Sequence, residues 1–166
     1  MSSDSVLAAS AQELAEGLQA AGLRAGIAES CTGGWIAKCL TDIAGSSQWF
    51  EAGLVCYSNT AKQRLAGVEP ATLNAYGAVS EPVAAELARG AVRQTGSDVA
   101  LAVTGIAGPS GGTADKPVGL VWFGWCDADG RVTTQHAVFD GDREAVRRQT
   151  VARALDGMNG ALRQAQ

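Results

Sequence analysis

Three side chains able to make or break bonds stand in a row at Ser30, Cys31 and Thr32, between Glu29 and the pair Gly33-Gly34, in the stretch GIAESCTGG. A serine or cysteine can attack a carbonyl carbon once a neighbouring base takes its proton. At the start of a helix the same residues could instead hold a phosphate or an oxyanion on unpaired backbone N–H groups, or simply cap the helix. The stretch ends an apolar run and precedes Trp35, Ile36, Cys39, Leu40 and Ile43, whose spacing marks a buried helical stripe. Ser30 is therefore expected at a strand-to-helix turn, as nucleophile, phosphate ligand or cap. Cys31 is a rival nucleophile, but a thiolate needs a cationic neighbour and usually a histidine. Thr32 suits a cap or a phosphate contact. The pattern is not the G-x-S-x-G of a hydrolase elbow.

With a single histidine, His136, placed in a late strand, the base for Ser30 must come from lysine, tyrosine or a carboxylate. Tyr57 and Lys62 in CYSNTAK straddle a strand end and the first turn of a short helix. A lysine partly desolvated there falls in pKa and can accept a hydroxyl proton; a solvated lysine on a surface helix is the plain alternative. Glu29 could orient the site, pair with Lys62 or be a surface acid, and Asn59 could cap the helix or touch substrate. Thr104 and Gly105 open a glycine-rich stretch, TGIAGPSGGTADKP (104–117), able to offer backbone donors to an oxyanion or phosphate. Arg143, Arg147 and Arg148 begin the last helix. Arginine forks suit phosphate, yet Asp140, Asp142 and Glu144 interleave, as on a solvated helix face.

The elements that must position these residues follow from periodicity and punctuation. Helices are predicted over 5–21, from about residue 35 towards Gly45, over 60–66 capped by Asn59, over 70–76, over 81–95 behind the capping triplet Ser80-Glu81-Pro82, and over 142–164. Strands are predicted over 23–28, 48–58, 98–103, 118–126 and 131–139, the last two as a hairpin. Helices alternate with strands except at that hairpin. The order implies an α/β fold with a mostly parallel sheet, helices on both faces and an antiparallel hairpin at one side. Sites in such sheets gather at strand carboxyl ends, where both the opening stretch and the glycine-rich loop lie.

The 166 residues suit one domain spanning 1–166. A hydrophobic share of 46% against 18% charged excludes a disordered chain. A net charge of −4 argues against nucleic acid as a partner, and no apolar run is long enough to cross a membrane. Nothing in MSSDSVLAAS resembles a signal peptide. Cys31, Cys39, Cys56 and Cys126 form no C-x-x-C pair, so no metal is expected, and they fit reduced thiols in a cytoplasmic protein.

Five blocks in order, AESCTGG (28–34), DIAGSSQWFEAGLVCYSNTAK (42–62), GAVSEPVAAELARGA (77–91), VTGIAGPSGGTADKPVGLVWFG (103–124) and FDGDREAVRRQ (139–149), closely resemble the CinA C-terminal domain family. The resemblance spans about residues 5–160 and is nearest to the stand-alone members that deamidate nicotinamide mononucleotide. It implies a three-layer α/β/α sandwich and an amidohydrolase of pyridine nucleotide salvage that yields nicotinate mononucleotide and ammonia. No cofactor is implied; a homo-oligomer is, with a dimer favoured. The extra N-terminal domain of larger members is not expected here. Carried over by motif, Ser30 is the nucleophile, with Lys62 as base and Tyr57 as its polar partner. Glu29, Cys31, Thr32, Gly33, Gly34, Asn59, Thr104, Gly105 and Arg143 are the expected substrate contacts. Cys56, Ser110 and Leu120 depart from the usual family residues. The alternative from another class is a nucleotide-binding or regulatory module that uses the same crevice without turnover.

Overall fold

The structure, a computed structural model, describes residues 3–164. Its elements follow one another as α1 (Asp4–Ala21), β1 (Ala25–Glu29), α2 (Trp35–Thr41), a 3-10 turn (Ser46–Gln48), β2 (Phe50–Val55), α3 (Asn59–Ala66), α4 (Pro70–Tyr76), α5 (Glu81–Thr95), β3 (Val99–Gly105), β4 (Leu120–Cys126), β5 (Val132–Val138) and α6 (Arg143–Gln164). The strands form one sheet in the order β2-β1-β3-β4-β5. β2, β1 and β3 are parallel, and β4 and β5 add antiparallel ladders as a hairpin at one side. The predicted α/β sandwich is thus realised as a mixed sheet.

Alternation along the strands sorts the core into two layers. Ile27, Leu101, Val103, Val121 and Phe123 pack under α1, α2 and α6, together with Leu14, Ile36 and Leu155. Ala28, Ala100 and Ala102 face the other way, against Ala66, Leu73, Val83 and Leu87 of α3, α4 and α5. The second face is lined by small residues, so its helices lie close to the sheet. At Gly90 a Cβ would sit 1.9 Å from the Ala66 carbonyl oxygen, so only glycine lets α5 seat the end of α3. Gly90→Ala is expected to destabilise the fold by about 1–3 kcal/mol. It should also lower kcat more than it raises KM, because α3 carries Lys62; thermal denaturation with steady-state kinetics checks both.

Three sequence expectations need correction. The long strand predicted over 48–58 begins after the 3-10 turn and ends at Val55, since the chain must leave the sheet to start α3. Ser58, not Asn59, caps α3: its Oγ accepts from the Ala61 N–H at 3.0 Å. Asn59 is the first helical residue. Ser80 makes no cap to α5; its hydroxyl donates to the Gly77 carbonyl at 2.8 Å and so fixes the loop entering α5.

Because β5 is antiparallel to β4, and β4 to β3, the carboxyl ends of β2, β1, β3 and β5 all point to one edge of the sheet. Cys56, Ser30, the glycine-rich loop and the start of α6 meet there.

Candidate active site

Ser30 is the first residue beyond β1, and its N–H donates to the Val103 carbonyl at 3.1 Å, which extends the ladder by one step. Alternation then turns Glu29 and Ser30 to opposite faces of the sheet. Ser30 Oγ meets Lys62 Nζ at 3.0 Å. The amine lies in the first turns of α3, 2% exposed, and donates to the carbonyls of Cys56 at 2.9 Å and Tyr57 at 3.3 Å. No carboxylate among the described residues pairs with it. Burial pushes its pKa below the ordinary lysine value.

That geometry can serve both protonation states. An ammonium has three donors and finds three acceptors, whereas a neutral amine keeps two N–H bonds to the carbonyls and turns its lone pair to the Ser30 hydroxyl. The two carbonyls thus aim the base. The Cys56 substitution noted in the sequence is harmless to this contact, which uses the backbone.

Ser30 and Lys62 line a cavity of about 280 Å³, at the small end of ligand pockets. Cys31, Tyr57, Asn59, Thr104, Gly105 and Arg143 also line it, as does the loop from Ile106 to Gly111. Its charged lining is Lys62 and Arg143, without an acid. Arg143 donates to the Gly108 carbonyl at 2.8 Å and to the Tyr57 hydroxyl at 2.9 Å, and so bridges the cavity mouth. Thr104 is buried; its hydroxyl donates to the Ala78 carbonyl at 2.8 Å and ties the loop before α5 to β3. Gly105 is required by close packing, as a Cβ would lie 2.7 Å from Val121 Cγ2. Among the described residues, the N–H groups of Cys31, Ala107, Gly108 and Gly111 meet no backbone carbonyl.

Six of the expected site residues stand elsewhere or act otherwise. Glu29 is 1% exposed on the far face, where it accepts from Thr32 Oγ1 at 2.6 Å and from the N–H groups of Gly34, Ile36 and Ala37 at 3.1, 3.1 and 2.8 Å. The start of α2 is therefore already occupied by the chain's own anion. Thr32 is consumed by Glu29, and Gly33 and Gly34 form a left-handed turn outside the cavity, at φ 61° and 98°. Tyr57 helps Lys62 through its carbonyl, while its hydroxyl points out to Arg143. Cys31 faces the cavity, but burial raises its thiol pKa to about 12, so it is not a thiolate. The His136 ring packs tilted against Trp122, with ring centres 4.6 Å apart, outside this cavity.

Sequence reading weighed Arg147 only as a phosphate fork or a solvated helix residue, and its role at the turn was not foreseen. Arg147 donates to the Cys31 carbonyl at 3.1 Å and the Thr32 carbonyl at 2.8 Å, with its guanidinium over the Trp35 ring. Its position one helical turn after Arg143 was the available signal. Arg148 pairs instead with Asp4 and Glu144 at the surface.

The sequence and the fold of this chain are also matched by known proteins. The family model of the CinA C-terminal domain matches residues 7–162. The nicotinamide-nucleotide amidohydrolase PncC of Enterobacter agglomerans is 55% identical over 92% of this chain and 91% of its own, and that of Escherichia coli K12 is 52% identical over 92% of each. Among solved structures, a CinA superfamily protein from Klebsiella pneumoniae 700603 superposes with a TM-score of 0.91 at 37% identity, over 95% of this chain and 98% of that one. A competence/damage-inducible protein from Agrobacterium tumefaciens gives 0.90 at 42%, over 95% and 96%. The expected fold and family are thus met from both sequence and structure, and the chain belongs to the CinA C-terminal domain family.

Proposed function

We propose that this chain is a nicotinamide-nucleotide amidohydrolase that converts nicotinamide mononucleotide and water to nicotinate mononucleotide and ammonia through an acyl-enzyme on Ser30. The observation that carries this reading is Lys62 Nζ at 3.0 Å from Ser30 Oγ, buried and held by two carbonyls; a site that only bound nucleotide would have no use for it. The identity with the two amidohydrolases supports the substrate.

Ser30 Oγ attacks the carboxamide carbon while its proton passes to Lys62. The oxyanion that forms is met by the Cys31 N–H and neighbouring loop amides. Lys62 then returns the proton to the leaving nitrogen, the C–N bond breaks and ammonia departs. Water, giving its proton to the same lysine, opens the ester to the carboxylate. The pyridinium charge draws electrons from the carboxamide and speeds both attacks. Ammonia release from the mononucleotide by purified protein tests the reading, and a chelator should leave the rate unchanged.

The 5′-phosphate belongs with Arg143 and the amides of the 107–111 loop, the cationic, donor-rich side of a cavity without acids. Asn59, at the rim, is a sugar contact. A charged hydrogen bond is worth about 1.5–3 kcal/mol. Arg143→Ala is accordingly expected to raise KM for the mononucleotide about 10- to 100-fold and to leave KM for the phosphate-free riboside nearly unchanged, as measured by initial rates on both.

Four free cysteines, all buried, fit a reducing cytoplasm. A homodimer is the proposed assembly, covering exposed Val55 or Val138 on the two edge strands; sedimentation tests it.

A further inference from the structure

The turn that carries Ser30 is gripped on both of its polar sides. Glu29 gathers three N–H groups and one hydroxyl from residues 32–37. Arg147 gathers the two carbonyls of Cys31 and Thr32 from the direction of α6. With Gly33 and Gly34 in left-handed conformation, this turn has little intrinsic stiffness. Its shape is set by those two side chains, which belong to different elements and lie outside the cavity.

We infer that Glu29 and Arg147 are positioning residues for the amidohydrolase reaction, which hold the turn so that Ser30 Oγ and the Cys31 N–H keep their places against Lys62 and the carboxamide. The two act in complementary senses. Glu29 accepts through both oxygens, one taking Thr32, Gly34 and Ile36 and the other Ala37, so a glutamine would set its NH2 against at least one N–H donor. Arg147 donates through Nε and Nη2 in a planar fork, with its guanidinium carbon 5.4 Å from the centre of the Trp35 ring. A lysine could reach one carbonyl but not both. The buried acid beside the nucleophile therefore takes no proton from Ser30; it anchors the start of α2, and through it the turn.

The inference rests on the proposed activity, so wild-type ammonia release from nicotinamide mononucleotide is measured first; its absence would sink that activity and not bear on the clamp. Given turnover, Glu29→Gln and Arg147→Lys are compared with wild type. A displacement of about 1 Å at the reacting atoms costs about 100-fold in rate, so kcat should fall about 10- to 100-fold, with KM within about twofold and the pH limb due to Lys62 in place. Arg147→Lys keeps the charge on a half-buried helix face and reports on the clamp even if Glu29→Gln does not fold. Adding either change to Lys62→Met should cost little more than Lys62→Met alone, because a displaced nucleophile matters only while its base is present. Unchanged kcat in Arg147→Lys, a rise in KM at constant kcat, or a fully additive loss in the double variants would overturn the inference.

Discussion

Replacing Lys62 by methionine is expected to lower kcat/KM for nicotinamide mononucleotide about 1,000-fold, in the range of a lost general base. Methionine keeps the unbranched length and the burial but has neither lone pair nor proton at the end. The loss should come with a change in the shape of the pH profile. On the proposed mechanism Ser30 is activated only when Lys62 is neutral, and burial moves that ionisation below the ordinary value of 10.5. Activity should therefore climb with pH along a limb placed below 10.5, and Lys62→Met should lack that limb. Lys62→Arg is expected to be nearly as inactive, since guanidinium does not deprotonate in this range.

Stability carries the same ionisation with a definite sign. In the unfolded chain Lys62 binds its proton up to about pH 10.4, whereas in the fold it has already released it at lower pH. Between the two values the unfolded state holds more protons, so stability rises as pH rises. Below the folded value the whole cost of the buried amine is borne by the native state; above the unfolded value the cost is gone. The slope of stability against pH between those limits should vanish in Lys62→Met, which denaturant titration at several pH values would read. A lysine whose ionisation is lowered by burial is thus a standing cost at neutral pH.

Much of the framework was legible because glycine and periodicity speak locally. Gly22, Gly67 and Gly96 end α1, α3 and α5 where their left-handed φ angles require glycine. The unbroken apolar run of β3 announced a strand covered on both faces. Elimination left lysine, tyrosine or a carboxylate as the base for Ser30, with a solvated Lys62 as the plain alternative; the family resemblance singled out Ser30 and Lys62, and the fold brings these two into contact. What a local reading could not see was direction. It treated residues 29–34 as one open helix start, although period-two alternation already put Glu29 on the face of Ile27 and Ser30 on that of Ala28. An acid that enters a helix start from behind removes the anion site that the same start would otherwise form. The cap of α3 was misplaced by one residue because Ser58 and Asn59 are both good caps. That Tyr57 serves Lys62 by its carbonyl depends on where α3 folds back, which no side-chain type records.

Ser30→Ala is expected to lower kcat about 10,000-fold or more, and the residue left by that change separates two chemistries. If Ser30 forms the ester, hydroxylamine added during turnover should divert part of the acyl group to a hydroxamate, and a rapid quench should find the acyl mass on the peptide carrying Ser30. Neither signal should survive in Ser30→Ala. If Lys62 instead drove water straight onto the carboxamide, the alanine variant would leave room for that water beside Nζ and would retain a substantial share of the rate. Ser30→Ala keeping more than about a tenth of wild-type kcat would therefore exclude the acyl-enzyme route. Cys31 offers no escape from this comparison. Its thiol stays protonated up to about pH 12, so iodoacetamide at neutral pH should leave activity intact, where a cysteine nucleophile one residue along would be alkylated and silenced. The position of Lys62 decides which neighbour reacts: its Nζ lies 3.0 Å from Oγ of Ser30, and Cys31 has no such partner.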